Sequence, residues 1–248
     1  MKANNTNRDE TNNPWSNESS VSFYSSKRNK KEELYKSEEY FLSEIIKPGL
    51  SILDVGCAAG GFCKIFHEIE PSVKYTGIDI SDKLISVAMK DNSDSPFLVG
   101  KGNYLPFKNE SFDIVFCSGV LHMVFEWQDI INECWRVTKN NFIFDVRLIE
   151  NGDSISDINK SFQKIAFMDG WDGFSIVPYI ILNINDFCEK LKIMNPFPKR
   201  IDNYGYFNKI SDMTTSPYNE VFMSMWSLHK SGENAENRWN LPIKKVEI

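Results

Sequence analysis

Apolar positions recur along this chain with two periods, and the switching between them predicts the architecture. From Lys31 to Ile46 the residues Leu34, Tyr35, Phe41, Leu42, Ile45 and Ile46 return at helical spacing, and Lys47-Pro48-Gly49 stops the element. A short apolar strand, Ser51 to Val55, leads through a glycine-rich turn into a helical pattern from Gly60 to Ile69. The alternation repeats with a strand at Val73 to Asp79 and a helix at Asp82 to Lys90, where Ser81 or Asp82 suits the N-cap. Strands follow near Pro96 to Gly100 and at Phe112 to Cys117, then a helix from Trp127 to Thr138 and a strand from Asn141 to Arg147. Ile114-Val115-Phe116 and Phe142-Ile143-Phe144 are unbroken apolar runs, as expected of strands covered on both faces. Strands and helices alternating at this pitch imply a doubly wound α/β fold, a parallel sheet with helices on both sides.

Between Leu148 and Leu182 the rhythm breaks. Gly152, Gly170 and Gly173, with Asp153, Asp157, Asp169 and Asp172, predict loops around one short helix from Asp157 to Phe167. Asn185 to Leu191 reads as a helix, and Lys199 to Phe207 and Val221 to Leu228 read as two late strands. Residues 1–20 are polar and are expected to be a disordered tail. That leaves 21–248 as one domain, with 21–47 as an N-terminal lid and helix and 148–182 as an insertion.

Bulk properties narrow the function classes. A chain of 248 residues is long enough for one substantial core, and 42% apolar with 25% charged residues is ordinary for a soluble domain. The net charge of −6 gives no global positive field to collect phosphates, which argues against a nucleic-acid substrate. No apolar run approaches the roughly eighteen residues of a membrane-spanning helix, and the N-terminus lacks the apolar core of a secretory signal. Cys57, Cys63, Cys117, Cys134 and Cys188 form no C-x-x-C pair, so free thiols in a reducing cytoplasm are expected and a metal site is not.

The chemistry concentrates in Ile52-Leu53-Asp54-Val55-Gly56-Cys57-Ala58-Ala59-Gly60-Gly61-Phe62, followed by Thr76-Gly77-Ile78-Asp79-Ile80. Gly56, Ala58 and Gly60 allow close approach of a ligand to the backbone, Cys57 and Ala59 are small, and a helix N-terminus faces the pocket. Asp79, at the tip of the next strand, is placed to accept ribose hydroxyls. Ala58 occupies the second glycine position of the dinucleotide fingerprint, so that fingerprint is absent. Asp54 would repel a pyrophosphate but suits a ligand carrying an ammonium and a sulfonium.

These residues resemble the first motif and the ribose-binding acid of the class I S-adenosylmethionine-dependent methyltransferases. Leu105-Pro106-Phe107 with Ser111-Phe112-Asp113-Ile114-Val115, then Leu121-His122-Met123-Val124, then Glu133, Arg136, Val137 and Lys139, resemble later motifs in the same order over roughly residues 30 to 148. The resemblance implies a Rossmann-like, three-layer α/β/α domain. Its seven-stranded sheet would be mostly parallel, with an antiparallel last strand and the two late strands forming a hairpin. The implied cofactor is S-adenosyl-L-methionine, with S-adenosyl-L-homocysteine as product. Asp54 would reach the methionine amino group, directly or through water, and Asp79 the ribose. Ile80 and Leu84 would wall the purine. Lys101 stands where relatives carry an aspartate, so Asn103 is expected to accept from the adenine amine. Phe62, Tyr104 and Ser118 complete the expected cofactor contacts. His122 lines the route to the acceptor as general base or as positioner, whereas His67 and His229 are expected to be structural or exposed.

An N-terminal lid is implied too, with Phe23, Tyr24 and Arg28 either part of it or the edge of the core. The 148–182 insertion, especially 167–174, would choose the acceptor, or serve as a cap or dimer contact. The leading expectation is a cytoplasmic enzyme, monomer or homodimer, moving a methyl group to O or N of a small molecule such as a sugar, lipid precursor or secondary metabolite. Alternatives are a methyltransferase acting on protein or tRNA, or a cofactor-binding protein without turnover. The second draws on Lys101 and on Asn140-Asn141, which replaces the family's Pro-Gly-Gly. A nicotinamide-dependent reductase is disfavoured by Asp54, Ala58 and the lack of a Tyr-x-x-x-Lys pair.

Overall fold

The computed structural model describes residues 14–167, 170–232 and 236–240, and within them all side chains except those of 166–174. Two helices lead in, α1 (Glu18–Ser26) and α2 (Lys36–Ile45), followed by β1 (Ser51–Val55), α3 (Gly61–Ile69), β2 (Lys74–Asp79), α4 (Asp82–Asp91) and β3 (Phe97–Val99). Next come β4 (Phe112–Cys117), α5 (Trp127–Val137), β5 (Thr138–Ile149), β6 (Phe162–Phe167) and β7 (Gly170–Pro178). The chain continues through β8 (Leu182–Asn183), α6 (Ile184–Lys192), β9 (Arg200–Lys209), β10 (Thr214–Thr215), β11 (Glu220–His229) and β12 (Arg238–Asn240).

The main sheet has the order β12-β9-β11-β5-β4-β1-β2-β3, with β8 paired to β5. Strand β11 runs antiparallel to both β5 and β9, and the other pairings in this sheet are parallel. Side-chain alternation divides the core into two layers. Leu53, Val55, Val115, Cys117, Phe142 and Phe144 face one side and pack with α5 and α6. Ile52, Ile114, Phe116 and Ile143 face the other and pack with α2, α3 and α4. Helix α5 shows why these segments are helical: Trp127, Ile130, Ile131, Cys134 and Trp135 are buried along one stripe at 3- and 4-residue spacing.

The doubly wound fold expected from the apolar pattern is present, with differences at its margins. The sheet has nine strands rather than seven, because Leu182–Asn183 and Arg238–Asn240 add short parallel partners to β5 and β9. The helix expected from Asp157 to Phe167 is a correction: Phe162–Phe167 is a strand, paired antiparallel with β7 and with β10 in a separate three-stranded sheet. Buried Ile165 and Val177 give that hairpin an apolar side, and pairing satisfies its backbone. Strand β5 runs on to Ile149, so the insertion begins later than Leu148. The helix expected over Lys31 to Ile46 is interrupted at Leu34 and Tyr35, both extended, and restarts with the Glu38 carboxylate capping the Tyr35 amide at 2.9 Å.

Residues 1–13 of the expected tail lie outside the described residues, whereas 14–20 are ordered. Pro14–Ser16 is a 3-10 turn, and Asn17 caps α1 by accepting from the Ser20 amide at 2.7 Å. The side chains of 166–174, expected to select the acceptor, also lie outside the description.

The outer strands are pinned by one carboxylate. Asp202 of β9 is fully buried and accepts from Arg200 Nε at 2.8 Å and Arg238 Nη2 at 2.8 Å, with His229 Nε2 at 3.0 Å. Burial alone would raise its pKa, but these three partners hold it well below the usual carboxylate range. Asp202→Ala is expected to lower unfolding free energy by about 1–3 kcal/mol in urea titrations, because partly exposed Arg200, Arg238 and His229 lose their shared buried acceptor.

Candidate active site

The carboxyl ends of β1, β2, β4 and β5 open into a cleft of about 790 Å³, the usual ligand position of an open α/β sheet. The turn after β1 forms its inner edge. Gly56 has φ +81°, and a Cβ there would lie 2.2 Å from Val120 Cγ2, so only glycine fits. The Gly56 and Cys57 amides donate to the Ile78 carbonyl at 2.8 and 3.2 Å, which fastens the turn to β2. Ala58, left-handed at φ +47°, then donates its amide to Asp79 Oδ2 at 3.0 Å. Asp79 Oδ1 accepts from the Ser81 amide at 2.9 Å. The Ile80 amide also bonds this carboxylate, and lone-pair capacity remains for a ligand's hydroxyl. Burial raises the Asp79 pKa, and those amide bonds oppose the rise. Ile80, 48% exposed, and Leu84 flank the carboxylate.

Most of the residues expected at a cofactor line this cleft: Gly56, Cys57, Ala58, Phe62, Asp79 and Ile80, together with Leu84, Asn103, Ser118 and His122. Three do not. Asp54 is buried behind the turn, where the Tyr75 hydroxyl donates to its carboxylate at 2.6 Å, and burial pushes its pKa up to about 7. Gly60 serves as the left-handed N-cap of α3, and Gly61 takes its place on the cleft wall. Tyr104 is 78% exposed, on a loop tied back through its amide to the Lys101 carbonyl.

Tyr24 and Arg28, expected in a lid or at the core edge, line the cleft, and the structure adds Glu38 and Trp15, which the sequence left unmarked. Arg28 and Glu38 form an ion pair beneath the N-terminal segment. The Arg28 guanidinium lies 4.4 Å from the Tyr35 ring centroid and 5.0 Å from that of Phe62, and its buried Nε has no partner among the described residues. Glu38 Oε1 also accepts from Ser118 Oγ at 2.7 Å, linking the lead-in helix to the loop after β4. Glu38 sits in an acidic helical turn and gives no pattern signal. Trp15 and Tyr24 complete this cover, and Ser16 Oγ lies 2.9 Å from Ser81 Oγ at the start of α4.

At the other end of the cleft, Asp145 and Arg147 of β5 form a buried ion pair. Asp145 Oδ1 accepts from the Gly119 amide at 2.6 Å, and Arg147 Nη2 lies 3.5 Å from His122 Nε2. The guanidinium can only donate, so Nε2 accepts and the imidazole proton resides on Nδ1. Burial, then the Arg147 charge, push the His122 pKa down to about 3. His122 is therefore neutral and too weak a base at neutral pH to collect a proton from an alcohol. The arrangement favours the positioning role over the general-base role. Two opposite charges at alternate positions of an apolar strand, Phe144-Asp145-Val146-Arg147, were a readable signal of this cluster.

A glycine turn fastened to a carboxylate-tipped second strand, over a sheet of this order, agrees with the family comparison. Residues 53–144 match a family model described as a methyltransferase domain. Over that stretch the chain is similar to the class I S-adenosylmethionine-dependent methyltransferases. It is 28% identical over 185 residues to a malonyl-acyl-carrier-protein O-methyltransferase of Buchnera aphidicola, covering 75% of this chain and 66% of that protein. It is 28% identical over 177 residues to the mitochondrial ubiquinone biosynthesis O-methyltransferase of Saccharomyces cerevisiae, covering 69% and 54%. The chain spans 38% to 66% of the length of the first curated relatives it matches. In fold it is similar to the crystal structure of a S-adenosylmethionine-dependent methyltransferase from Methanosarcina mazei, with a TM-score of 0.56 and 18% identity over 79% of this chain and 98% of that one.

The residues of this cleft fit the cofactor of that family. Asp79 keeps free lone pairs beside an apolar wall, Gly56 leaves backbone exposed where a side chain would not fit, and Arg28 carries an unused donor. The buried groups beside the cleft also set opposing pH dependences. His122, with a folded-state pKa of about 3, contributes stability that is present above its unfolded value near 6.5 and lost as pH falls. Asp54, held at about 7, contributes stability that is present below its unfolded value near 3.9 and lost as pH rises through 7. Between neutral pH and about pH 5 each is worth about 2 kcal/mol, with opposite sign. Urea titrations at the two pH values should show His122→Asn gaining stability on acidification relative to the parent, and Asp54→Asn losing it. Parallel pH curves for all three proteins would remove both assignments.

Proposed function

We propose that this methyltransferase uses S-adenosylmethionine to methylate an oxygen or nitrogen of a small molecule. The observation that carries the reading is Asp79: a buried carboxylate at the tip of β2 with lone pairs to spare, at the near end of a cleft that continues to a second polar wall on β5. Two relatives, both O-methyltransferases, support an oxygen acceptor.

When bound, the cofactor supplies a methyl group on a cationic sulfur that departs as a neutral thioether. The protein therefore needs no site for a developing oxyanion, and its residues mainly hold and orient. Asp79 would take the ribose hydroxyls, Ile80 and Leu84 would flank the base, and Asn103 would accept from its amine. Arg28 and the N-terminus of α3 would face the carboxylate end. The N-terminal cover of Trp15, Tyr24 and Tyr35 would exclude water from the reacting atoms. Alignment of this kind supplies roughly 7–11 kcal/mol of barrier reduction. No helix among the described residues is long and apolar enough to cross a membrane, and the five buried free cysteines fit a reducing cytoplasm as the working compartment.

Calorimetric titration tests the pocket. S-adenosylhomocysteine should bind and NADH should not. Asp79→Asn should weaken S-adenosylhomocysteine at least about tenfold, since charge-assisted hydrogen bonds to a diol are lost while shape is kept. Unchanged affinity in that variant would remove the assignment.

A further inference from the structure

We infer that the methyl acceptor carries a carboxylate, seated on Arg147 and the Nδ1–H of His122, and that a carboxylate oxygen is the nucleophile. The inference rests on reading the cleft as a methyl-transfer site and names the acceptor class that its β5 wall fits.

The first ground is a surplus of donors. Arg147 presents a fork of N–H groups from a buried position, and Asp145, its counter-ion, also accepts from Gly119. The Tyr179 hydroxyl interacts with the same guanidinium, and its ring meets His122 edge-on at 5.5 Å. His122 is only 6% exposed, and its Nδ1 is buried with no hydrogen-bond partner. A buried N–H without an acceptor costs on the order of 1–3 kcal/mol, so an orphaned donor on a residue that lines the cleft points to an acceptor brought by a ligand. Planar, bidentate oxygens are the match for a guanidinium fork. Lys209 of β9 lines the same cleft and forms no ion pair among the described residues, which adds attraction for an anion.

The second ground is the lack of a base. Every described titratable group near that wall is committed or in the wrong state. His122 is neutral with its basic nitrogen facing Arg147. Asp145 is held below the usual carboxylate range by Arg147 against the effect of burial, and Tyr179 is pushed up by burial and stays protonated. Of the other acids on the cleft, Glu33 caps the Asn29 and Lys30 amides, and Asp79 is bound by Ala58 and Ser81. Glu126, the residue before α5, is exposed to solvent. An alcohol or ammonium acceptor would need a proton removed, whereas a carboxylate is ionised already at neutral pH. In the transfer a carboxylate oxygen forms the bond to the methyl carbon, the carbon–sulfur bond breaks with its electron pair left on sulfur, and no proton moves. The product is a methyl ester, and the negative charge of the acceptor cancels the positive charge of the sulfonium.

The test uses the full chain loaded with S-adenosylhomocysteine and three probes of one shape: benzoate, benzamide and benzylammonium. Calorimetry should give benzoate an advantage of about tenfold or more over both others. Arg147→Lys, which keeps the charge beside Asp145 but loses the fork, should remove most of that advantage. In spectra of protein labelled at histidine nitrogen, the His122 Nδ1–H signal should move with benzoate and not with benzamide. His122→Asn, which leaves the Asp145–Arg147 pair intact, should weaken benzoate even if the Arg147 variant fails to fold. Equal affinity for the three probes, preference for benzylammonium, or an advantage that survives both variants would overturn the inference. If S-adenosylhomocysteine binds while benzoate shows no advantage, only the acceptor class falls. If S-adenosylhomocysteine itself does not bind, the function proposed above falls with it.

Discussion

Two backbone amides sharing one carbonyl hold the site together. Gly56 and Cys57 both donate to Ile78, so the turn after β1 cannot move without β2. The next amide, that of Ala58, reaches the carboxylate at the tip of the same strand. The left-handed backbone at Gly56, Ala58 and Gly60 turns these donors toward β2 and starts α3 facing the cleft. A side chain at residue 56 would occupy the space of Val120, in the loop that carries the acceptor-side residues. The two sides of the cleft therefore share one steric constraint.

Around this turn the protein buries more charge than stability requires. Asp54, Asp79, Asp145, Arg147 and Glu38 are all below a tenth exposed, and each is held by a specific partner. Buried ion pairs seldom add net stability, because desolvation offsets attraction. Their value here is rigidity: Asp145 fixes Gly119, Arg147 fixes the tautomer of His122, and Glu38 ties Arg28 and Ser118 together. An enzyme whose main task is alignment gains from groups that cannot reorient.

Particular residues decide how far the sequence could be read. The βαβ rhythm through Arg147 was legible because each strand is covered on both faces and each helix on one, so burial writes a local period into the chain. The glycine turn and Asp79 were legible because their chemistry depends on backbone conformations that few residue types tolerate. Asp54 was misplaced because its role depends on Tyr75, twenty-one residues away, whose hydroxyl turns the carboxylate from the cleft. The strand at Phe162–Phe167 was taken for a helix because a six-residue run has too few turns to show a period, and its partner β7 decides its conformation.

By itself the sequence determined the sheet-and-helix order, the bend that approaches a ligand and the acid that follows it. All three are set within a few residues by burial pattern and backbone sterics. Only the tertiary structure decided that Arg28 pairs with Glu38, that His122 is neutral with one open donor, and that Asp145 and Arg147 form the far wall. Those properties come from desolvation and from partners on distant segments; the local run of residues marks the two charges of β5 but not their pairing or what they face.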